Sequence, residues 1–114
     1  MDQPVLVYDD DCSFCTRAAR FVRRHGTVRI VGFSELDSDL EARLPETYRE
    51  SAHLLSEGSV YSGGEAVERS LATTGFVPGR AIALLKRIPG YRTARERGYD
   101  VVAENRGTIG SLLP

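Results

Sequence analysis

A short apolar run, Pro4-Val5-Leu6-Val7-Tyr8, stops abruptly at Asp9-Asp10-Asp11, and two cysteines follow at once, Cys12 and Cys15, with two residues between them. This junction constrains the fold more than any other part of the chain. The run offers no polar residue to water, so it reads as a strand buried on both faces, as in a parallel sheet. From Cys15 the apolar residues recur at helical spacing: Cys15, Ala18, Ala19 and Val22. Arg17, Arg20, Arg23 and Arg24 occupy much of the remaining surface, and Gly26 supplies a stop. Asp11 is the expected N-cap. A strand thus hands the chain to a helix, with the cysteine pair at the joint.

These are the only 2 cysteines in 114 residues. A disulfide-stapled secreted domain would carry more, spread along the chain. A Cys-x-x-Cys closes too small a loop to restrain much unfolded-chain entropy, so stapling is the poorest explanation of the pair. Redox exchange and metal binding both stay open. The chain does not need a staple, because 41% hydrophobic residues suffice for a one-domain core. A net charge of −1 argues against nucleic acid as the partner. The longest apolar run, Ala81 to Leu85, is too short to span a membrane. The start of the chain shows no basic region followed by a long apolar segment, so a cytoplasmic address is the default expectation.

Val28 to Phe33 reads as a second strand. Ser34 and Asp37 resemble a capping box ahead of a helix with Leu36, Leu40 and Leu44 down one face, ended by Pro45. Ala52 to Leu55 and Ser59 to Tyr61 flank Glu57-Gly58 as a hairpin. Ser62 and Glu65 form a second capping-box pattern, opening a helix through Leu71 that closes near Gly75. Two helical stretches complete the chain: Pro78 to Ile88, broken by Pro89-Gly90, and Tyr91 to Asn105, interrupted by Gly98. The expectation is an α/β fold in βαβαββα order, with a mixed four-stranded sheet and the hairpin at one edge. One domain spans 1–114, with a core over 4–75 and a C-terminal helical extension over 76–114. Charges segregate: residues 12–31 hold five arginines and no acid, residues 32–57 seven acids and two arginines. That is ordinary for solvated helix faces, though the arginine face could touch RNA or an acidic protein.

A strand that delivers Cys-x-x-Cys to a helix start, followed by βαββα, resembles the minimal thioredoxin-like plan. The string Val5-Leu6-Val7-Tyr8-Asp9-Asp10-Asp11-Cys12-Ser13-Phe14-Cys15 resembles something narrower, the DCC family of thiol–disulfide oxidoreductases, named for its Asp-Cys-Cys signature. Val60-Tyr61-Ser62-Gly63-Gly64-Glu65-Ala66 is similar to the family's aromatic-x-Gly-x-x-Ala segment. Ile88-Pro89-Gly90-Tyr91 and Tyr99-Asp100-Val101-Val102-Ala103-Glu104-Asn105-Arg106 continue the likeness in the right order. The resemblance implies a redox role for the dithiol. Two positions depart from it. Asp10 stands where the family has glycine, so the turn before Cys12 is built differently. Thioredoxins and glutaredoxins also place a cis-proline just before the third strand, and Arg49-Glu50-Ser51-Ala52-His53 contains none. Their backbone pairing with substrate therefore does not carry over.

The chemistry of a cysteine pair at a helix start is physical. The first cysteine meets unpaired N–H groups and the positive end of the helix dipole, which favour thiolate. Cys12 is then the attacking thiol and Cys15, one turn on and less exposed, the resolving thiol. The aspartates oppose this. A helix terminus offers up to ~2 kcal/mol, and a carboxylate about 8 Å away at an effective dielectric of ~20 costs about 2 kcal/mol. Three such charges would win, so either Asp11 caps the helix or one aspartate is protonated or turned away, with Arg17 and Arg20 compensating if they fold back. Asp9 and Asp11 are accordingly candidates for tuning the thiols.

The alternatives are weaker in pattern. Cys12 and Cys15 with His25 and His53 lack a familiar zinc spacing, although the third strand would bring His53 near the pair. Asp9-x-Asp11 also resembles the nucleophile motif of haloacid dehalogenase-type phosphatases, but the only lysine, Lys86, has no neighbouring acidic pair. Gly63-Gly64 could seat an anion or simply make a tight turn. The sequence therefore points to a thiol–disulfide oxidoreductase using Cys12 and Cys15, with no organic cofactor and no resident metal. Its partners would be protein or small-molecule disulfides and thiols. The competing reading is a non-catalytic thioredoxin-like module whose dithiol holds a soft metal or a protein partner.

Overall fold

The computed structural model describes residues 3–75 and 79–112. Four strands form one sheet: β1 (Val5–Tyr8), β2 (Arg29–Gly32), β3 (His53–Ser56) and β4 (Ser59–Ser62), in the order β2-β1-β3-β4. β1 runs parallel to β2 and antiparallel to β3, and β3–β4 is the hairpin at the sheet edge. The sheet is mixed and four-stranded, as the sequence pattern requires. Glu57 (φ +50°) and Gly58 (φ +82°) make the two-residue turn, the left-handed pair that matches the twist of a hairpin.

The pleat sorts the core into two layers. Leu6 faces Leu54, which faces Tyr61, and this row packs with Tyr8, Ala19, Val22, Val28 and Ala66. Val5 faces Leu55, which faces Val60, and this row joins Val7, Leu44 and Tyr48 on the other side. Both faces of β1 are therefore covered, which is why its run lacks polar residues. The first layer lies under α1 (Ser13–His25) and α3 (Gly64–Ala72), and the second under α2 (Ser38–Arg43) and its flanking turns.

Three helix starts differ from expectation. α1 is capped by Cys12 itself rather than by Asp11: the Cys12 sulfur accepts the Cys15 N–H at 3.3 Å. α2 is capped by Asp37, whose Oδ1 accepts the Leu40 N–H at 2.8 Å, while Ser34 lies in a separate 3₁₀ turn over Phe33–Glu35. At α3 the Ser62–Glu65 box does not form. Ser62 bonds His53 instead, and the N–H of Gly64 donates to Glu96 Oε1 at 2.9 Å, 32 residues away.

The later helices are α4 (Gly79–Leu85), α5 (Tyr91–Glu104) and α6 (Arg106–Leu112). Pro78, the expected start of the first of them, lies outside the described residues. α5 passes through Gly98 without a break. The ~1 kcal/mol that glycine costs inside a helix is small beside the packing of α5 against α3. α6 turns back to pack against α1, and its first residue, Arg106, reaches the cysteine pair. Among the described residues no helix is long and apolar enough to cross a membrane.

Candidate active site

The joint between β1 and α1 is built by the three aspartates, each in its own way. Asp9 closes the turn: its carbonyl accepts the Cys12 N–H at 3.3 Å and its Oδ1 accepts the Asp11 N–H at 3.0 Å. Asp10 turns toward the 3₁₀ segment, where its carboxylate accepts both the backbone N–H (3.3 Å) and the hydroxyl of Ser34. The Ser34 hydroxyl, with its backbone N–H adding, holds the Asp10 carboxyl below its ordinary pKa. Among the described residues Glu57 is the one non-glycine with positive φ, so the turn at Asp10 needs no glycine freedom. The same carboxyl explains Gly32, because a Cβ there would collide with the Asp10 side chain. Asp11 stays exposed.

The two cysteines are free thiols, both half-buried. Cys12, at the N-cap, has extended backbone angles (φ −112°, ψ 120°) that aim its sulfur back over the first turn. Cys15 packs against the first core layer. Burial pushes its thiol up to about 12, a hydrogen bond and charge from the Cys12 sulfur push the same way, and Arg106 opposes them. The two thiols are thus unequal: one caps the helix, and the other is an inward thiol that keeps its proton at neutral pH.

Two residues that motif reasoning did not single out complete the site. Arg106, the first residue of α6, places Nη1 3.9 Å from the Cys15 sulfur and Nη2 3.2 Å from Asp9 Oδ2. Tyr99 of α5 accepts the Ala52 N–H on its phenolic oxygen at 3.0 Å. Burial raises the Tyr99 pKa, with the charge of nearby Cys15 contributing. Tyr99 therefore occupies the backbone donor just ahead of β3, where the sequence lacks a proline. It also walls, with Arg49, Ser51, Gly63 and Arg106, an open cleft of about 570 Å³. Arg106 lies 91 residues from Cys15, so no spacing rule could have joined them. The one available signal is that both new residues bound the segment Tyr99–Arg106, which carries the family likeness.

His53 is not brought to the cysteines. It stands opposite Val7 in register, and Val7 belongs to the second core layer, whereas Cys15 packs on the first. Its Nε2 lies 2.8 Å from the Tyr48 carbonyl and its Nδ1 2.7 Å from the Ser62 hydroxyl. Nε2 carries the proton and donates, so Nδ1 accepts from Ser62. His25 packs its ring at a tilt against Phe21 at the far end of α1, with ring centroids 4.7 Å apart. Among the described residues no three His, Cys, Asp or Glu side chains are grouped to hold a metal ion.

Burial lowers the His53 pKa, against a smaller opposing contribution from its bond to Tyr48. The folded chain thus resists a proton that the unfolded chain accepts near pH ~6.5. Stability from this residue is complete above that pH and is lost as pH falls toward the depressed folded value. Thermal midpoints should drop as pH falls below about 6.5, and His53→Gln should be less stable at neutral pH but flat over the same fall in pH.

A four-stranded mixed sheet with a cysteine pair at the start of the first helix defines a thioredoxin-like dithiol protein. Comparison with known families gives the narrower assignment. The chain belongs to the DCC1-like thiol-disulfide oxidoreductase family, whose model matches residues 6–112. No curated protein and no solved structure matches it.

Proposed function

We propose that this chain is a thiol–disulfide oxidoreductase in which Cys12 attacks and Cys15 resolves. The observation that carries this reading is the inequality of the two sulfurs: Cys12 caps α1 and accepts the Cys15 N–H, while Cys15 is the inward, high-pKa thiol. The Cys12 thiolate bonds to one sulfur of a substrate disulfide, the substrate S–S bond breaks, and the first substrate thiolate leaves and takes a proton from water. Cys15 then gives its proton to water and its sulfur bonds to Cys12 Sγ. The mixed disulfide breaks, and the second substrate thiolate leaves and is protonated. The chain ends oxidised, with a Cys12–Cys15 disulfide, and the substrate has gained two electrons. Run backwards, the same steps oxidise a substrate dithiol. We read residues 1–114 as one working unit, since the tail supplies Tyr99 and Arg106 to a site built by the core.

The reduced chain, mixed with a neutral dipyridyl disulfide, should release two equivalents of thiopyridone in two phases and end with an internal disulfide by mass. Release in two equal, independent phases that leaves both cysteines as adducts would overturn the reading. So would tight, stoichiometric zinc or copper(I) binding by a chain that does not react with the disulfide at all.

A further inference from the structure

Arg106 sits between two acceptors. Its Nη2 is 3.2 Å from Asp9 Oδ2 and its Nη1 is 3.9 Å from the Cys15 sulfur, so one planar guanidinium spans both. A protonated sulfur is a weak acceptor, and in that state the carboxylate holds the group. Once the sulfur is anionic it becomes a full charge already within reach of the other arm, with no movement needed. The groups that face Cys15 are Cys12 from the cap of α1, Asp9 from the β1–α1 turn, Tyr99 from α5 and Arg106 from α6. Among these Arg106 is the cation. In the mixed disulfide the Cys12 sulfur is covalently engaged and no longer acts as a charge. What then resists the departure of the Cys15 proton is burial and Asp9, and what assists it is Arg106.

Resting on the disulfide-exchange reading, we propose that Arg106 is the charge partner of the second cysteine: it receives the negative charge on Cys15 Sγ when that sulfur attacks Cys12, and Asp9 limits how fully it does so. In that step Cys15 gives its proton to water, the Cys15–Cys12 bond forms, the mixed disulfide bond breaks, and the leaving thiolate is protonated by water. In the reverse direction Arg106 holds Cys15 as the leaving thiolate.

The proposal makes a prediction of sign that a merely structural ion pair does not. Breaking a structural pair from either side would loosen α6 and move the resolving step in one direction. If the charge on Cys15 is what matters, removing the cation slows resolution and removing the carboxylate speeds it. The measurement is the second phase of thiopyridone release in rapid mixing, followed against pH. Arg106→Gln removes the charge and leaves a shorter, neutral hydrogen-bonding side chain on α6. It should slow that phase about tenfold at neutral pH, equivalent to about one pH unit in its profile. Arg106→Lys should restore most of the rate, and Asp9→Asn should speed the phase about threefold and move its profile to lower pH. The first phase should change less in every variant, and thermal unfolding reports whether α6 remains seated. Equal slowing by Arg106→Gln and Asp9→Asn, or no change in either, would overturn the assignment to Arg106 while leaving two-phase exchange by the parent chain intact. Absence of a second phase in the parent chain would overturn both.

Discussion

Cys12→Ser is expected to abolish attack on a disulfide, a loss on the order of a thousandfold or more, as when an enzyme loses its nucleophile. Cys15→Ser is expected to keep the attack and to accumulate the mixed disulfide. The asymmetry follows from position. Cys12 alone occupies the N-cap, where its sulfur meets the Cys15 N–H and the positive end of α1. Cys15 packs inward, and burial, the largest cause of its raised pKa, persists when Cys12 is lost, so a chain left with only that thiol has a poor nucleophile at neutral pH. In Cys15→Ser the backbone N–H of residue 15 still bonds the Cys12 sulfur, because the donor belongs to the main chain. The check is to incubate each variant with cell extract, block thiols with acid and alkylating reagent, and separate adducts without reductant. Adducts should form with Cys15→Ser and collapse on addition of reductant, whereas Cys12→Ser should form none. A dithiol that held a metal would make no such distinction, since either loss removes one of two ligands. Equal behaviour of the two variants, with tight copper(I) or zinc binding lost in both, would favour the binding module.

The sheet and α1 could be read from the chain because their information is local. The unbroken apolar run of β1, the 3.6-residue spacing through Val22 and the Glu57-Gly58 turn each specify an element within a few residues. The helix starts were harder, because several acceptors compete for the free N–H groups at each cap. Ser62 has the right spacing to cap α3, but its hydroxyl is taken by buried His53, which needs a partner for its second nitrogen. Glu96 then serves the Gly64 N–H from α5. At α1, Asp11 is displaced as cap by Cys12, whose sulfur takes the first-turn N–H. Gly98 carries a real local penalty, yet tertiary packing outweighs it. The cysteine pair was legible from its strand-to-helix setting. Arg106 and Tyr99 were not, because a residue at the end of the chain reaches Cys15 only after α5 and α6 have docked.

That docking depends on Glu68, and Glu68→Ala is expected to cost about 3 kcal/mol. Glu68 is a buried carboxylate on α3. It accepts the Tyr91 hydroxyl at 2.6 Å, lies 3.3 Å from Arg95 Nη1, and is 3.4 Å from Lys86 Nζ. One side chain thus ties α3 to the end of α4 and to the first turns of α5. Burial alone would raise its carboxyl pKa, but the Tyr91 and Arg95 hydrogen bonds, with the charges of Arg95 and Lys86, outweigh it and leave the net shift downward. Truncation to alanine leaves Arg95, itself mostly buried, with Glu96 as its remaining carboxylate. Against a total of roughly 5–15 kcal/mol for a domain, the loss is large. It is also directional, because α5 carries Tyr99 and leads into Arg106. The thermal midpoint should fall, and Cys15 in Glu68→Ala should be alkylated faster than in the parent chain because its cover is loosened. Glu68→Gln separates charge from shape. Because the folded pKa of Glu68 is depressed, its contribution is complete above the ordinary carboxylate range, about 4.3, and is lost as pH falls through the folded value. Glu68→Gln should therefore start less stable at neutral pH and lose less on acidification. If Glu68→Ala leaves both the thermal midpoint and the Cys15 alkylation rate unchanged, α5 is held by its apolar contacts alone, and the ionic tie contributes nothing to building the site.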